Sequence, residues 1–230
     1  MSKFALLFAL VLVGGLFATI YYSSAAAFAL YQIVYFVNPS ERWWSGQLPG
    51  ISYSFFVSSF ILGVLIWRFK ELNAASPWFQ NPAFKWMLLL LACYYLANFW
   101  ALVPAVHNKF SFIFLKLMII IFAAYKLLKD ERSLNIALWA YIAGCTYIGY
   151  LATETGRNTG YRLEGITLPD APGVNPVAAA LVPACALLLY FAWMGNKKIK
   201  LCCFLCGGLI ANALVLFNSR GAFLGIVVSV

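Results

Sequence analysis

Apolar residues follow one another in long unbroken blocks along this chain, without the alternation of a half-buried strand or the single stripe of a soluble helix. A bilayer core takes about 20 apolar residues per helical span. Blocks of that order lie at 52–67, 84–106, 110–128, 134–152, 175–194 and 199–217, and a last one opens at Gly221. Clusters of Pro, Gly, Asn and charge separate them. Residues 4–37 exceed one upright crossing, so they form either one tilted or broken span or two short ones divided at Tyr21-Tyr22-Ser23-Ser24. No small-residue cleavage site follows the basic start, so this block is expected to stay in the membrane. The pattern predicts an all-α fold: a polytopic transmembrane helical bundle of about eight or nine segments in a single domain over residues 1–230. Its last segment is expected to be incomplete, because roughly ten residues at about 1.5 Å each fall short of a core of about 30 Å. The chain therefore reads as the N-terminal part of a longer protein, with a split enzyme and a degenerate relative as the alternatives.

Composition agrees with this class. Hydrophobic residues make up 64% and charged residues 10%, too little polar surface to solvate a globular exterior. Trp43, Trp44, Trp67, Trp78, Trp86, Trp100 and Trp193 stand near the ends of apolar blocks, where indole rings settle at the headgroup boundary. Basic residues alternate between loops: Arg68, Lys70 and Lys85, then Lys126, Lys129 and Arg132, then Lys197, Lys198 and Lys200. The intervening loops carry Arg42, then Lys109, then Arg157 and Arg162, then Arg220, with Glu41, Glu154, Glu164 and Asp170 among them. Retention of Lys and Arg on the cytoplasmic side places the first set inside and the second outside. The terminal Lys3 lies inside if 4–37 crosses once and outside if it crosses twice. Insertion bias and anionic lipid account for most of the net charge of +9. Nucleic-acid binding is excluded, since no soluble basic face interleaved with aromatics is present.

Six cysteines all fall within apolar blocks, where thiols pack as small hydrophobes. Cys203 and Cys206 have a metal-like spacing but no nearby histidine, so no metal is expected. His107, beside Pro104, reads as a polar residue at an outward helix end. Lys116 lies about two turns into its span, where a lysine snorkels, pairs or lines a polar cavity.

The outward loop over 153–174 is the richest segment. Its glycines, with Pro169 and Pro172, allow tight turns, and Arg157 and Arg162 offer fixed positive charge to phosphate or carboxylate. Asn175-Pro176 reads as a helix start, with Asn as cap and Pro in the first turn. Arg220 returns to the same face two spans later, so Arg162 and Arg220 form a candidate diphosphate clamp.

At Arg162-Leu163-Glu164-Gly165, Asn175-Pro176 and Ser219-Arg220-Gly221-Ala222 the chain resembles the O-antigen ligase and O-antigen polymerase family of bacterial envelope glycosyltransferases. The region Asn38-Pro39-Ser40-Glu41-Arg42-Trp43 is similar to the start of ligase-like members. The resemblance implies a bacterial inner-membrane protein that transfers a glycan from an undecaprenyl diphosphate carrier. The acceptor would be lipid A core, another carrier-linked glycan or a protein, and no cofactor would be needed. It further implies lipid-diphosphate binding by Arg220 first, then Arg162 and Arg157, with Lys116 and Asn175 as further candidates. The family's late-loop catalytic histidine has no counterpart among these residues, so the chain alone is expected to be inactive. A transporter or flippase subunit and a non-catalytic glycan-binding membrane protein are the competing expectations. The first of these predicts internal repeats and helices broken at mid-membrane, neither of which is evident in the sequence.

Overall fold

The computed structural model describes residues 2–77, 80–169, 171 and 173–229; Trp78, Asp170 and Pro172 lie outside the described residues. Among these residues ten α-helices form: α1 (Lys3–Tyr21), α2 (Ala25–Val37), α3 (Tyr53–Trp67), α4 (Phe69–Ala75), α5 (Pro82–Ala97), α6 (Pro104–Leu127), α7 (Glu131–Thr155), α8 (Val174–Met194), α9 (Lys197–Phe217) and α10 (Arg220–Ser229). Six helical stretches have membrane-crossing length and apolarity: α1, α5 with the turn behind it, α6, α7, α8 and α9. The chain is thus an all-helical, multi-pass membrane protein, with α3 and α10 as shorter apolar helices.

The long first block divides at Tyr22, Ser23 and Ser24. Helices α1 and α2 run antiparallel: Gly15 faces Leu30, and the amide of Ser2 donates to the Gln47 side chain in the loop after α2. Lys3 therefore stands at the same end of the bundle as residues 38–52. The expected span over 84–106 is corrected. Helix α5 stops at Ala97, a 3-10 turn covers Asn98–Trp100, and Pro104 opens α6. Proline loses nothing in a first helical turn, where its missing amide would have had no acceptor. His107 and Lys109 consequently sit in the first two turns of α6, where His107 Nε2 pairs with the carbonyl of Tyr94 at 2.6 Å. The indole of Trp44 is buried within the protein, packed on Phe8.

Helix α7 is the centre of the larger core, meeting α2, α8 and α9. Small residues let these backbones approach closely, as packing within lipid requires. A Cβ at Gly144 would lie 2.3 Å from the Phe36 ring of α2, and one at Gly149 would lie 2.7 Å from the backbone of Leu209 in α9. Cys145 and Cys203 are buried in the same core as ordinary packing groups. Though only 13 residues long, α2 serves three clusters: Phe36 joins the α7 core, Leu30 and Val34 pack with α1 and Trp44, and Ala27 meets α3, α4 and α6.

One end of the bundle carries the lysine-rich turns. There α4 is tied down by Lys126, which is buried at the end of α6 and donates to Asn73 Oδ1 at 2.8 Å and to the carbonyl of Ser76. Lys129 pairs with Glu71 at 2.7 Å, and Arg68 donates to the carbonyl of Ile20. The opposite end holds residues 38–52, 98–103, 156–173 and the α9–α10 junction. Gly149→Ala should lower the stability of the detergent-solubilised protein by about 1–3 kcal/mol, because the facing atoms are backbone. The same change at Gly63, which has open space, should leave the melting temperature unaltered; equal melting of both variants would refute this packing account.

Candidate functional site

The α9–α10 junction is built by one left-handed residue. Asn218 has φ 49 and donates its amide to the carbonyl of Leu214, closing α9. Asparagine tolerates this conformation better than other residues with a side chain. Ser219, 6% exposed, follows, and its carbonyl accepts from the amide of Phe223 as α10 begins. Arg220 is thus the first residue of α10 and lies exposed. A cation there opposes the positive end of the helix dipole. The first-turn amides of α10 have no intrahelical acceptor either. Amides and guanidinium together favour an anion.

The second wall is the start of α8. Asn175 is not the cap: Gly173, with φ 97, holds that position, and α8 begins at Val174 because its side chain is drawn into the core. Asn175 and Pro176 lie in the first turn, and Asn175 is left exposed toward the groove. Further along, Pro183 has no amide to donate. The carbonyl of Ala179, a residue of the same wall, therefore lacks its usual donor four residues on.

Residues 156–173 form the third wall. Leu163 is fully buried, and its amide donates to the carbonyl of Leu216 at 2.9 Å, which fastens the loop to the end of α9. Asn158 brackets the turn, accepting from the amide of Glu164 and donating to its carbonyl. Arg162 is thereby held at the groove, with Nε 2.7 Å and Nη2 2.5 Å from Glu164 Oε1. This carboxylate raises the pKa of Arg162 further above its ordinary value. Arg220, by contrast, has no ion-pair partner among the described residues.

Arg162, Asn175, Ala179, Asn218, Ser219 and Arg220 enclose an open groove of about 490 Å3, within the usual range of ligand sites. A larger depression of about 800 Å3 lies at the lysine-rich end against Asp130, Arg132 and Trp139. It mixes charges of both signs and gathers no convergent set of cations.

Three of the five expected site residues therefore meet: Arg220, Arg162 and Asn175. Arg157 is exposed on the loop outside the groove. Lys116 is elsewhere, at the thirteenth position of α6, a helix that packs on α2, α3, α4 and α5; its Nζ lies 5.8 Å from the Phe112 ring centroid. The correction follows from the earlier start of α6, which places Lys116 at mid-helix. Sequence reading missed Asn218 and Ser219 as lining residues and Glu164 as the partner of Arg162. The Arg-x-Glu spacing was the available signal for the last of these.

The chain matches no protein-family model, no curated protein and no solved structure.

Glu164 occupies the guanidinium fork that an incoming oxyanion would use. Glu164→Gln should tighten pyrophosphate binding by up to about fivefold, the value of an exposed ion pair. Isothermal titration in detergent reads this directly, and weaker binding by the variant would contradict it.

Proposed function

We propose that this groove binds the diphosphate of a polyprenyl-linked glycan, in a membrane glycosyltransferase similar to O-antigen ligases. The observation that carries the reading is the convergence of Arg220, Arg162 and Asn175 from three separate segments on one groove. In this reading α2, α3 and α10 also cross or enter the bilayer, giving about nine segments. The lysine-rich end faces the cytoplasm of a bacterial inner membrane, and the groove faces outward.

The chemistry asks for little beyond electrostatics. An acceptor hydroxyl oxygen attacks the anomeric carbon, the bond from that carbon to the diphosphate oxygen breaks, and the carrier diphosphate leaves with the electron pair as the hydroxyl proton is released. Negative charge grows on the leaving diphosphate, and preorganised cations that meet it there lower the barrier. Arg220 supplies the uncommitted charge and the first-turn amides of α10 add directed donors. Arg162 joins when its fork leaves Glu164, and Asn175 offers an amide to a phosphate or sugar oxygen. The diphosphate is already a good leaving group, so neither nucleotide nor metal is required. Lipid A core, a second carrier-linked glycan or a protein is the acceptor.

Replacing Arg220 tests the site in the full-length protein. Arg220→Ala should lower glycan transfer about 10²–10³-fold with normal membrane insertion, the loss seen when one transition-state donor is removed. Arg220→Lys, which keeps charge but not the planar fork, should retain part of the activity. Unimpaired transfer by Arg220→Ala, measured as carrier-linked glycan consumed, would move the diphosphate elsewhere and favour a flippase or binding role.

A further inference from the structure

Another arginine at the groove end stands out for what it lacks. Arg42, in the loop between α2 and α3, is only 9% exposed. Its Nε donates to the carbonyl of Val37 at 2.7 Å, and its guanidinium carbon lies 5.8 Å from the centroid of the Tyr147 ring. Its Nη2 is buried without any acceptor. Among the described residues no carboxylate lies within ion-pair distance of it. Glu41, its neighbour in sequence, acts on it only from beyond ion-pair distance, and a guanidinium removed from water with a donor unpaired is costly.

Its depth makes the cost more telling. Tyr147 precedes the end of α7 at Thr155 by eight residues, so Arg42 lies about 12 Å below that end. Ionisable groups recessed among membrane helices mark ligand paths or relays. The surrounding loop is not tightly filled. It walls a hollow of about 490 Å3 lined by Ser40, Ser45, Ser52 and Tyr53 among others. Asn38 donates to the carbonyl of Thr167, which joins this loop to the one that carries Arg162.

We propose that Arg42 is a second anion-binding point at this end of the bundle, separate from the Arg220 groove, and that it takes a phosphate oxyanion. Phosphate suits a planar fork with free donors. It is also the anion that a phospholipid headgroup carries. Arg42 does not itself line this hollow, so an anion reaches Nη2 only when residues 38–52 give way. The inference does not depend on the transfer reaction, since it rests on burial and missing partners alone.

Thermal melting of the detergent-solubilised full chain tests it, with inorganic phosphate in one arm and short-chain phosphatidylglycerol in neutral detergent in the other. At about ten times the dissociation constant the wild type should gain roughly 3–6 °C. Arg220→Ala, which removes the groove's own response to phosphate, should keep a gain of this kind; in that background Arg42→Met should lose it and Arg42→Lys should keep less than half. Without ligand, Arg42→Met should melt no lower than wild type, because an uncompensated cation has gone; a merely structural arginine would make it melt lower. A response to both ligands assigns phosphate as such, and a response to phosphatidylglycerol alone assigns a lipid headgroup. The proposal is overturned if neither ligand shifts the Arg220→Ala protein, or if adding Arg42→Met to it leaves the shift intact.

Discussion

Close approach at two glycines of α7 is the constraint on which the rest of the structure depends. In lipid there is no water to drive helices together, so association relies on contact area and on atoms that fit. Gly144 admits the ring of Phe36 and Gly149 admits the backbone of Leu209. These contacts set α2 and α9 on α7, and through α9 they set α8 and α10. Because α2 also belongs to the clusters with α1, α3 and α6, the placement of Phe36 reaches nearly every helix. By comparison α5 is held loosely, meeting chiefly α6 and presenting Trp86, Leu89 and Leu96 outward.

The groove inherits its precision from this scaffold. Leu163 drops into the same core that α7 organises, and its amide reads the end of α9 through Leu216. A loop is ordinarily a poor place to hold a charged side chain in register. Here the loop has a buried anchor, a backbone tie and an asparagine bracket, so Arg162 is carried by α9 as much as by its own segment. Arg220 is fixed more simply, by the left-handed turn at Asn218 and the first turn of α10. Its location runs against helix electrostatics, and violations of a local rule tend to gather where function is served.

Much of this was legible in the sequence. Long apolar blocks identified the membrane class, and the alternation of basic loops sorted the helix ends correctly, since Arg162 and Arg220 do share one end with Asn175. The break at Tyr22–Ser24 was marked by its polar pair. Boundaries were harder where apolar residues continue through a turn: Ala101, Leu102 and Val103 are all apolar, and only Pro104 signals the start of α6. That displacement misplaced Lys116, whose depth had been counted from the wrong residue. Asn175 does not cap α8 because Gly173, at φ 97, turns the chain into the helix just before Val174, with no side-chain bond to the first amides. Pairwise facts such as Glu164 on Arg162, or the buried state of Arg42 and Trp44, depend on tertiary neighbours and leave little trace in a linear pattern.

The shortness of α2 has an electrostatic consequence. Helix α1 has 19 residues and α2 has 13, so the loop after α2 starts about 9 Å below the level at which α1 begins. Phe8 of α1, about that far down, is where Trp44 packs. The surface beside α1 is therefore recessed where this loop begins, with Arg42 buried within the loop and Arg162 and Arg220 at the same end of the bundle. Low-dielectric walls focus field lines through the aqueous opening of such a dent. Its few cations act over a longer range than the same charges on a level surface. The basic residues at the other end, among them the exposed Lys197, Lys198 and Lys200, are more numerous, yet mobile ions screen exposed charges within about 8 Å at physiological salt. Helix length, as much as the number of arginines, sets how far this end of the protein can attract an anion.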